Sequence, residues 1–155
     1  METKSIMIVG VGGQGSLLAS RLLGNVLLAQ GYDVKVSEVH GMSQRGGSVV
    51  TYVKYGDKVY SPVVEKGEAD AVISFELLEA ALCLPYLKKG GTLITSTQQI
   101  EPMPVITGAM EYPADLVSKL AEAGADITAV DALSLAEEAG TATASNVVPM
   151  GVPSA

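Results

Sequence analysis

The chain has 155 residues, of which 48% are apolar and 17% are charged, and its net charge is −7. This composition predicts one globular domain, residues 1–155, because it supplies enough apolar surface to offset the entropy of ordering. The only arginines are Arg21 and Arg45, which leaves no basic face for nucleic acid. The sequence shows no recognisable signal peptide and no apolar run near the ~20 residues that span a bilayer, so we expect a cytoplasmic protein without membrane contact.

Strand-like and helix-like stretches alternate along the chain, a pattern typical of a parallel sheet with flanking helices. Short apolar runs predict strands, and apolar positions at helical spacing predict helices. In chain order, the predicted elements are a strand at 6–9, a helix at 14–30, strands at 34–39, 48–55, 58–63 and 70–75, a helix at 76–87, a strand at 92–96, a helix at 114–123, a strand at 127–130 and a helix at 132–139. The sequence therefore predicts an α/β fold with a Rossmann-like, doubly wound and mostly parallel sheet.

One pair of predicted strands departs from this parallel pattern. The stretches 48–55 and 58–63 flank Gly56-Asp57, a turn signal that is weaker than Asn-Gly. We therefore expect a β-hairpin inserted into the sheet. In the helix that comes after the next strand, Pro85 is expected to disturb the last turn, because proline removes a backbone donor and clashes with the preceding turn.

The helix predicted at 14–30 is unusual because it is apolar nearly all round. Its only charge is Arg21, and Gly31 is expected to end it. A helix of this kind is normally buried. Two explanations stay open: a partner subunit covers its outer face, or the helix is internal to the domain.

The last stretch of the chain is also uncharged, from residue 139 onwards. Ser145-Asn146 is a typical helix start, but Pro149 and Pro153 interrupt the apolar residues after it. The sequence therefore leaves open whether the C-terminus is natural or truncated.

Residues 10–15 read Gly-Val-Gly-Gly-Gln-Gly and satisfy the G-x-G-x-x-G pattern between a predicted strand and a predicted helix. Glycines let the backbone approach an anion, and the start of the following helix adds a partial positive charge. Glu38 comes after the motif at about the ~20-residue spacing of an acid that binds a ribose. The pattern alone leaves two interpretations open: a dinucleotide site, or a tight strand–helix turn that holds no ligand.

A second cluster, residues 40–48, reads His-Gly-Met-Ser-Gln-Arg-Gly-Gly-Ser. It comes directly after the second predicted strand, so we expect both loops at one carboxyl edge, on neighbouring strands, where doubly wound proteins bind ligands. Arg45 brings a planar donor fork suited to phosphate or carboxylate. His40, the only histidine, is a candidate proton carrier, although a lone histidine more often hydrogen-bonds its own loop.

We find no catalytic constellation in the sequence. One histidine and one cysteine cannot supply a metal site of several nitrogen and sulfur ligands. Cys83 is expected to be a buried small hydrophobe. Glu76 and Glu79, three residues apart on a predicted helix, are expected to form a solvated face rather than a pair of catalytic carboxylates.

The stretches GVGGQGSLLASRLLGNVLLAQGYDV and VSEVHGMSQRGGSVVTYVKYG together resemble the γ-type subunits of 2-oxoacid:ferredoxin oxidoreductases, in particular those of the indolepyruvate enzymes. The resemblance extends over residues 6–150, and the combination of GGQG with HGMSQRGG is far more specific than the glycine pattern alone. It implies a Rossmann-like domain that binds no NAD and carries no catalytic residue. It also implies candidate contacts to coenzyme A at Gly12, Gly13, Gln14, Ser43, Gln44 and Arg45.

The resemblance further implies a subunit that is inactive alone. In the complete enzyme, a partner α subunit carries thiamine diphosphate and iron–sulfur clusters. The complex decarboxylates a 2-oxoacid oxidatively, transfers the acyl group to coenzyme A and passes the electrons to ferredoxin. An indolepyruvate or arylpyruvate substrate is implied, although the partner subunit would shape that pocket. Self-association of the isolated chain stays open as well.

Two alternatives remain on the sequence alone. The glycine motif and Glu38 favour a stand-alone NAD(P)-binding oxidoreductase, whereas 155 residues leave no room for a separate catalytic domain. The other alternative is a non-catalytic binding module whose glycine loop is structural. Binding of coenzyme A, NAD and NADP would distinguish the three.

Overall fold

The computed structural model describes residues 2–40, 47–140 and 148–151. These residues contain the strands β1 (Lys4–Val11), β2 (Asp33–His40), β3 (Ser48–Gly56), β4 (Ala69–Ser74), β5 (Leu87–Ser96) and β6 (Asp126–Val130). They form one sheet in the order β2-β3-β1-β4-β5-β6, in which β3 is antiparallel to both of its neighbours and the other pairings are parallel. The prediction of an α/β fold with a mostly parallel sheet is confirmed.

Helices cover both faces of this sheet, as expected of a doubly wound fold. In the described residues they are α1 (Ser16–Ala29), α2 (Leu77–Cys83), α3 (Met103–Ile106), α4 (Leu116–Glu122), α5 (Ala132–Glu138) and α6 (Val148–Gly151). On one face, Ala19 of α1 and Met150 of α6 pack with Ile8 and Ile73. On the other face, α2 and α4 pack against the opposite side chains of the same strands, among them Met7 and Leu93.

The predicted hairpin at Gly56-Asp57 is wrong. Residues 58–63 form no strand, and β3 instead pairs with β2 on one side and β1 on the other. Because both edges of β3 are occupied, 58–63 has no free edge of β3 to join. The backbone N–H of Val59 donates instead to Asp33 Oδ2 at 2.8 Å, at the start of β2. The hairpin in this chain is therefore formed by β2 and β3, with its connection at residues 41–47.

Two predicted helix ends are confirmed. Gly31 has a φ of 90°, a left-handed conformation that glycine adopts without strain, and its N–H donates to Leu28 O where α1 ends. In the second case Pro85 lies in a short 3₁₀ segment, Leu84–Tyr86, directly after α2. The predicted strand at 92–96 is longer than expected, since β5 begins at Leu87 and shifts register beside β4.

The helix α1 is not internal to the described part of the chain. Its fully buried residues are small, Ser16, Ala19, Ser20 and Gly24, and Leu23 and Leu27 pack against the core beside them. Several other large side chains lie on the outer face, where Leu18 is 65% exposed and Leu22, Val26 and Leu28 are each about half exposed. Of the two explanations that the sequence left open, the internal helix is therefore wrong as far as residues 2–40, 47–140 and 148–151 are concerned. None of the helices in the described ranges combines the length and the apolar character needed to cross a bilayer.

The C-terminal residues contribute one short helix to the core. The predicted helix start at Ser145-Asn146 lies outside the described residues, and α6 occupies Val148–Gly151. Pro149 is buried at its first turn, a position that tolerates proline because its N–H has no helical partner.

Candidate functional site

The carboxyl edge of the sheet brings the two sequence motifs to one place. The register pairs Val11 with Ser48 and His40 with Val49, so β1 and β2 end where β3 begins. The sequence analysis expected the two motifs to follow neighbouring strands. This expectation is wrong, because β3 lies between β1 and β2. The backbone N–H of Gly12 donates to Gly47 O at 2.9 Å. This bond joins the glycine loop directly to the end of the connection between β2 and β3.

Half of the predicted coenzyme A contacts lie on that connection. Ser43, Gln44 and Arg45 are outside the described residues, and of His40 the structure describes only the backbone at the end of β2. Gly12, Gly13 and Gln14 lie in the described glycine loop. The structure thus describes three of the six predicted contacts, and the predicted crevice between the two loops stays a prediction.

Gln14 ties the ends of three strands together. Its Oε1 accepts from the backbone N–H of Val11 at 2.8 Å. Its Nε2 donates to Phe75 O at 2.8 Å, beyond the end of β4, and to Gln98 Oε1 at 3.3 Å, beyond the end of β5. Both ends of the side-chain amide are therefore hydrogen-bonded within the chain. A contact of Gln14 with a ligand would then be made by its backbone.

The first glycine of the motif is explained by this amide. A Cβ placed on Gly10 would lie 2.9 Å from Gln14 Oε1 and 3.4 Å from the Phe75 side chain. Gly13, by contrast, has a φ of 97° and open space where a Cβ would project. The first glycine thus makes room for a side chain of this protein, and Gly13 faces away from the packed chain.

The start of α1 keeps the features of an anion-receptive helix terminus. Gly15 precedes it in a left-handed conformation, and its first turn carries no acidic residue. Backbone N–H groups and the helix dipole there favour a negative charge. A dinucleotide arrangement would also need Glu38 beside the glycine loop. Glu38 lies on β2, two strand spacings of about 4.8 Å from β1, because β3 intervenes.

The predicted solvated face at Glu76 and Glu79 is wrong. Glu76 is only 1% exposed and Glu79 only 7% exposed. Glu76 immediately precedes α2, and its Oε2 accepts from the backbone N–H of Glu79 at 2.8 Å, so it caps the helix. The signal available in the sequence was its place between a buried strand and a helix start, where a side-chain acceptor satisfies unpaired N–H groups.

The other oxygen of Glu76 binds two loops beyond β5. Its Oε1 accepts from the backbone N–H of Ile100 at 3.1 Å and from the hydroxyl of Tyr112. The Tyr112 oxygen itself accepts from the backbone N–H of Leu78 at 3.0 Å. Burial, and then the hydrogen bond to the Glu76 carboxylate, raises the pKa of Tyr112 well above its usual range. Tyr112 therefore stays a neutral donor.

Glu79 lines a cavity of about 310 Å³ beside the glycine loop. Its Oε1 accepts from Ser48 Oγ at 2.7 Å, at the start of β3. Burial raises the pKa of Glu79, the Ser48 hydroxyl opposes that shift, and the nearby Glu76 charge adds to it. The cavity is lined by Val11, Gly47, Ser48, Glu76, Leu78, Glu79, Ile100, Pro102, Met103 and Pro104.

The remaining titratable group of interest is Cys83, which is buried as the sequence predicts. Burial raises the pKa of this thiol to about 12, so it is a neutral packing group rather than a nucleophile. In the described ranges, no group of three or more His, Cys, Asp or Glu side chains is placed to hold a metal ion.

Comparison with known proteins identifies the family. The family described as pyruvate ferredoxin/flavodoxin oxidoreductase matches residues 5–155. Indolepyruvate oxidoreductase subunit IorB of Thermococcus kodakarensis is 47% identical over 154 residues, which are 97% of this chain and 76% of that one. The corresponding subunit of Pyrococcus horikoshii is 46% identical over the same shares.

A solved structure of a γ subunit has the same fold. The keto/oxoacid ferredoxin oxidoreductase γ subunit of Geobacter sulfurreducens superposes with a TM-score of 0.65 at 21% identity, over 96% of this chain and 73% of that one. The sequence match over nearly the whole chain and this shared fold agree with the resemblance seen in the two motifs. The chain therefore belongs to the pyruvate ferredoxin/flavodoxin oxidoreductase family and is a homologue of its small subunits.

Proposed function

We propose that this chain is the small subunit of an indolepyruvate or other arylpyruvate:ferredoxin oxidoreductase of the cytoplasm, and that it has no activity alone. The observation that carries the proposal is the 47% identity with an indolepyruvate oxidoreductase subunit over 97% of the chain. In the complete reaction, the 2-oxoacid loses CO₂, its acyl group forms a thioester with coenzyme A, and ferredoxin accepts two electrons.

The residues of this chain do not fit the redox cofactors of such a reaction. An iron–sulfur cluster needs several thiolates, typically four, and this sequence has one cysteine, which is buried in the core. We therefore assign the clusters to a partner α subunit, and on the family relationship we assign the thiamine diphosphate and the contact with ferredoxin to the same subunit. The contribution of this chain is binding and positioning.

The outer face of α1 is the surface we assign to the partner. Leu18, Leu22 and Val26 project from it, and Arg21 is the only charge in the helix. Exposed apolar clusters of this kind mark interaction surfaces, and burying them contributes ~25 cal/mol per Å² before the costs of association. Leu22→Glu is expected to weaken capture of the chain by its α subunit, whereas Lys119→Ala on α4 is expected to leave it intact. Equal capture of both variants would contradict this surface.

Coenzyme A is the ligand we propose for the crevice between the glycine loop and the β2–β3 connection. The Gly12–Gly47 bond holds the bases of the two loops together, and the start of α1 adds N–H donors. Gly12, Gly13 and Gln14 would form one wall, and Ser43, Gln44 and Arg45 the other. A solved relative in fold, the 2-oxoglutarate:ferredoxin oxidoreductase of Magnetococcus marinus, was crystallised with coenzyme A (TM-score 0.71, 17% identity, 97% of this chain and 24% of that one).

The experiment that tests the proposal is reconstitution with the α subunit. Indolepyruvate-dependent reduction of ferredoxin should require both chains and coenzyme A. Arg45→Ala should raise the coenzyme A concentration needed for half-maximal rate by about ten- to a hundredfold, because a charge-assisted hydrogen bond is lost. Lys119→Ala serves as the matched loss of a remote cation. An isolated chain that binds NAD or NADP but not coenzyme A would instead favour the dinucleotide alternative.

A further inference from the structure

A cavity of about 410 Å³ lies at the amino edge of the sheet, at the opposite end of the strands from the glycine loop. The starts of β1, β4 and β5, the end of β3 and the connection after β3 surround it. Its charged lining consists of three lysines and three carboxylates, Lys54, Lys58, Lys88, Glu2, Glu68 and Asp70. The charges that are already compensated within the chain decide which kind of ligand this cavity favours.

The carboxylate of Asp70 already receives donors from three residues of the chain. Its Oδ2 accepts from the backbone N–H of Ser5 at 2.9 Å. Its Oδ1 lies 3.6 Å from the Nζ atoms of both Lys4 and Lys88. A cationic ligand would have to compete with these donors, so Asp70 gives the cavity little attraction for a cation.

Lys54 is a mostly buried cation whose acceptors are distant. Its side chain is only 10% exposed, and its Nζ lies 3.4 Å from each carboxylate oxygen of Glu68, whose own side chain is 47% exposed. A strong charge-assisted N–H···O bond is about 2.7–2.9 Å long. Glu68 Oε2 also accepts from the backbone N–H of Glu65 at 2.8 Å, so Lys54 shares this acceptor. An ammonium group that is removed from water gains from a closer acceptor than Glu68 provides.

We propose that this cavity binds a small oxyanion, a phosphate or a carboxylate group, through Lys54 and Lys58. An oxygen of the ligand gives Lys54 the close acceptor, and Lys58 and Lys88 add two further ammonium groups to the same lining. The chain as a whole carries a net charge of −7. Three ammonium groups around one cavity should therefore attract an anion in preference to the rest of the surface.

The proposal concerns the amino edge and does not depend on coenzyme A or on a partner subunit. It can be tested on the full chain by NMR titration with inorganic phosphate and with malonate, at a constant ionic strength set with sodium chloride. Saturable shifts of the backbone resonances of Ser5, Val59 and Glu68 are expected with at least one probe. The probe that binds more tightly identifies the group as phosphate or carboxylate. Shifts that chloride alone reproduces would overturn the proposal.

Variants of the two lysines test the assignment of the contacts. Lys54→Met keeps an unbranched buried side chain and removes the ammonium group, so it should weaken binding of the probe by about tenfold or more. If this variant does not fold, Lys58→Gln, on the exposed connection after β3, should weaken binding severalfold. Arg21→Gln removes a cation from α1, outside the cavity lining, and should leave binding unchanged. Absence of saturable shifts, shifts confined to the glycine loop, or unchanged binding in both lysine variants would each overturn the proposal.

Discussion

The two edges of the sheet use polar side chains in different ways. At the carboxyl edge, the side chains of Gln14 and Glu76 form hydrogen bonds with backbone groups of several loops. At the amino edge, Asp70 lies 3.6 Å from the ammonium groups of both Lys4 and Lys88, and these lysine side chains are 41% and 49% exposed. The comparison teaches that the edge with the candidate site is held by buried hydrogen bonds, whereas the opposite edge is held partly by solvated ion pairs.

The largest expected effect is at Glu76. Glu76→Ala leaves the N–H groups of Glu79 and Ile100 and the hydroxyl of Tyr112 without their acceptor in a buried place. Because each buried unpaired donor costs about 1–3 kcal/mol, the free energy of unfolding should fall by about 3 kcal/mol or more in urea titrations. Glu122→Ala, which removes an exposed carboxylate, is the control and should change it by less than about 0.5 kcal/mol.

A somewhat smaller effect is expected at Gln14. Gln14→Ala removes the acceptor for Val11 N and the donor for Phe75 O, so unfolding free energy should fall by about 2 kcal/mol. Gln14→Glu keeps the acceptor and loses the donor, and it should lie between the wild type and the alanine variant. If both variants matched the wild type in urea titrations, the ends of β1, β4 and β5 would not depend on this amide.

The two edges should also respond to pH with opposite sign. Burial raises the pKa of Glu79 above its ordinary value of 4.5, so the folded chain binds the proton more tightly than the unfolded chain. The chain should therefore gain stability as pH falls through the raised pKa towards 4.5, by at most about 1.4 kcal/mol per pH unit. The measurement is the pH dependence of unfolding free energy in the wild type minus that in Glu79→Gln, and a gain on raising the pH would contradict it.

At the amino edge, the hydrogen bond from Lys35 and then the N–H of Val59 lower the pKa of Asp33 below 3.8. Its contribution is therefore present above 3.8 and is lost as pH falls through the lowered pKa. Asp33→Asn should flatten that acid limb of the stability profile. An unchanged acid limb in this variant would show that the edge does not draw stability from this carboxylate.

The smallest effect is expected for the exposed ion pairs. Lys88→Ala breaks a pair with Asp70 in which the lysine is half exposed, and pairs of this kind contribute about 0.5 kcal/mol or less. Moderate salt should remove the difference between this variant and the wild type, because the Debye length falls to ~3 Å at 1 M. If Lys88→Ala lowered the unfolding free energy by more than about 1 kcal/mol, the ion pairs of the amino edge would stabilise the fold as strongly as a buried hydrogen bond, and the contrast between the two edges would be wrong.

The sequence predicts the order of strands and helices well because each strand is a short apolar run and each long helix has regular apolar spacing. Gly31 and Pro85 act through their own backbone geometry, so their effects are readable without the rest of the fold. The strands that pair with β3 cannot be predicted from such local signals. Gly56-Asp57 signals a turn, but which edges β3 meets depends on β1, more than 35 residues earlier in the chain.

The candidate site shows the same division. The glycine motif and the HGMSQRGG cluster are recognisable from residue types alone, and their common edge is a consequence of strand direction. Glu76 is bound by Tyr112 and by the loop after β5, and Glu79 by Ser48 of β3, all of which come from distant parts of the sequence. Charge and helical spacing alone favour solvent exposure for both carboxylates, and only the packed tertiary structure reverses that expectation.

The Gln14 amide has a consequence for how this protein changes through evolution. A glycine that cradles a nucleotide is needed for its ligand, but at Gly10 a neighbouring side chain of the protein itself occupies the space that a Cβ would need. Positions 10 and 14 should therefore covary: lineages that replace Gln14 with a smaller residue are free to acquire alanine at position 10, and lineages that keep it are not. In sequence searches, a glutamine at the fifth position of G-x-G-x-x-G would then separate chains of this kind from dinucleotide-binding proteins.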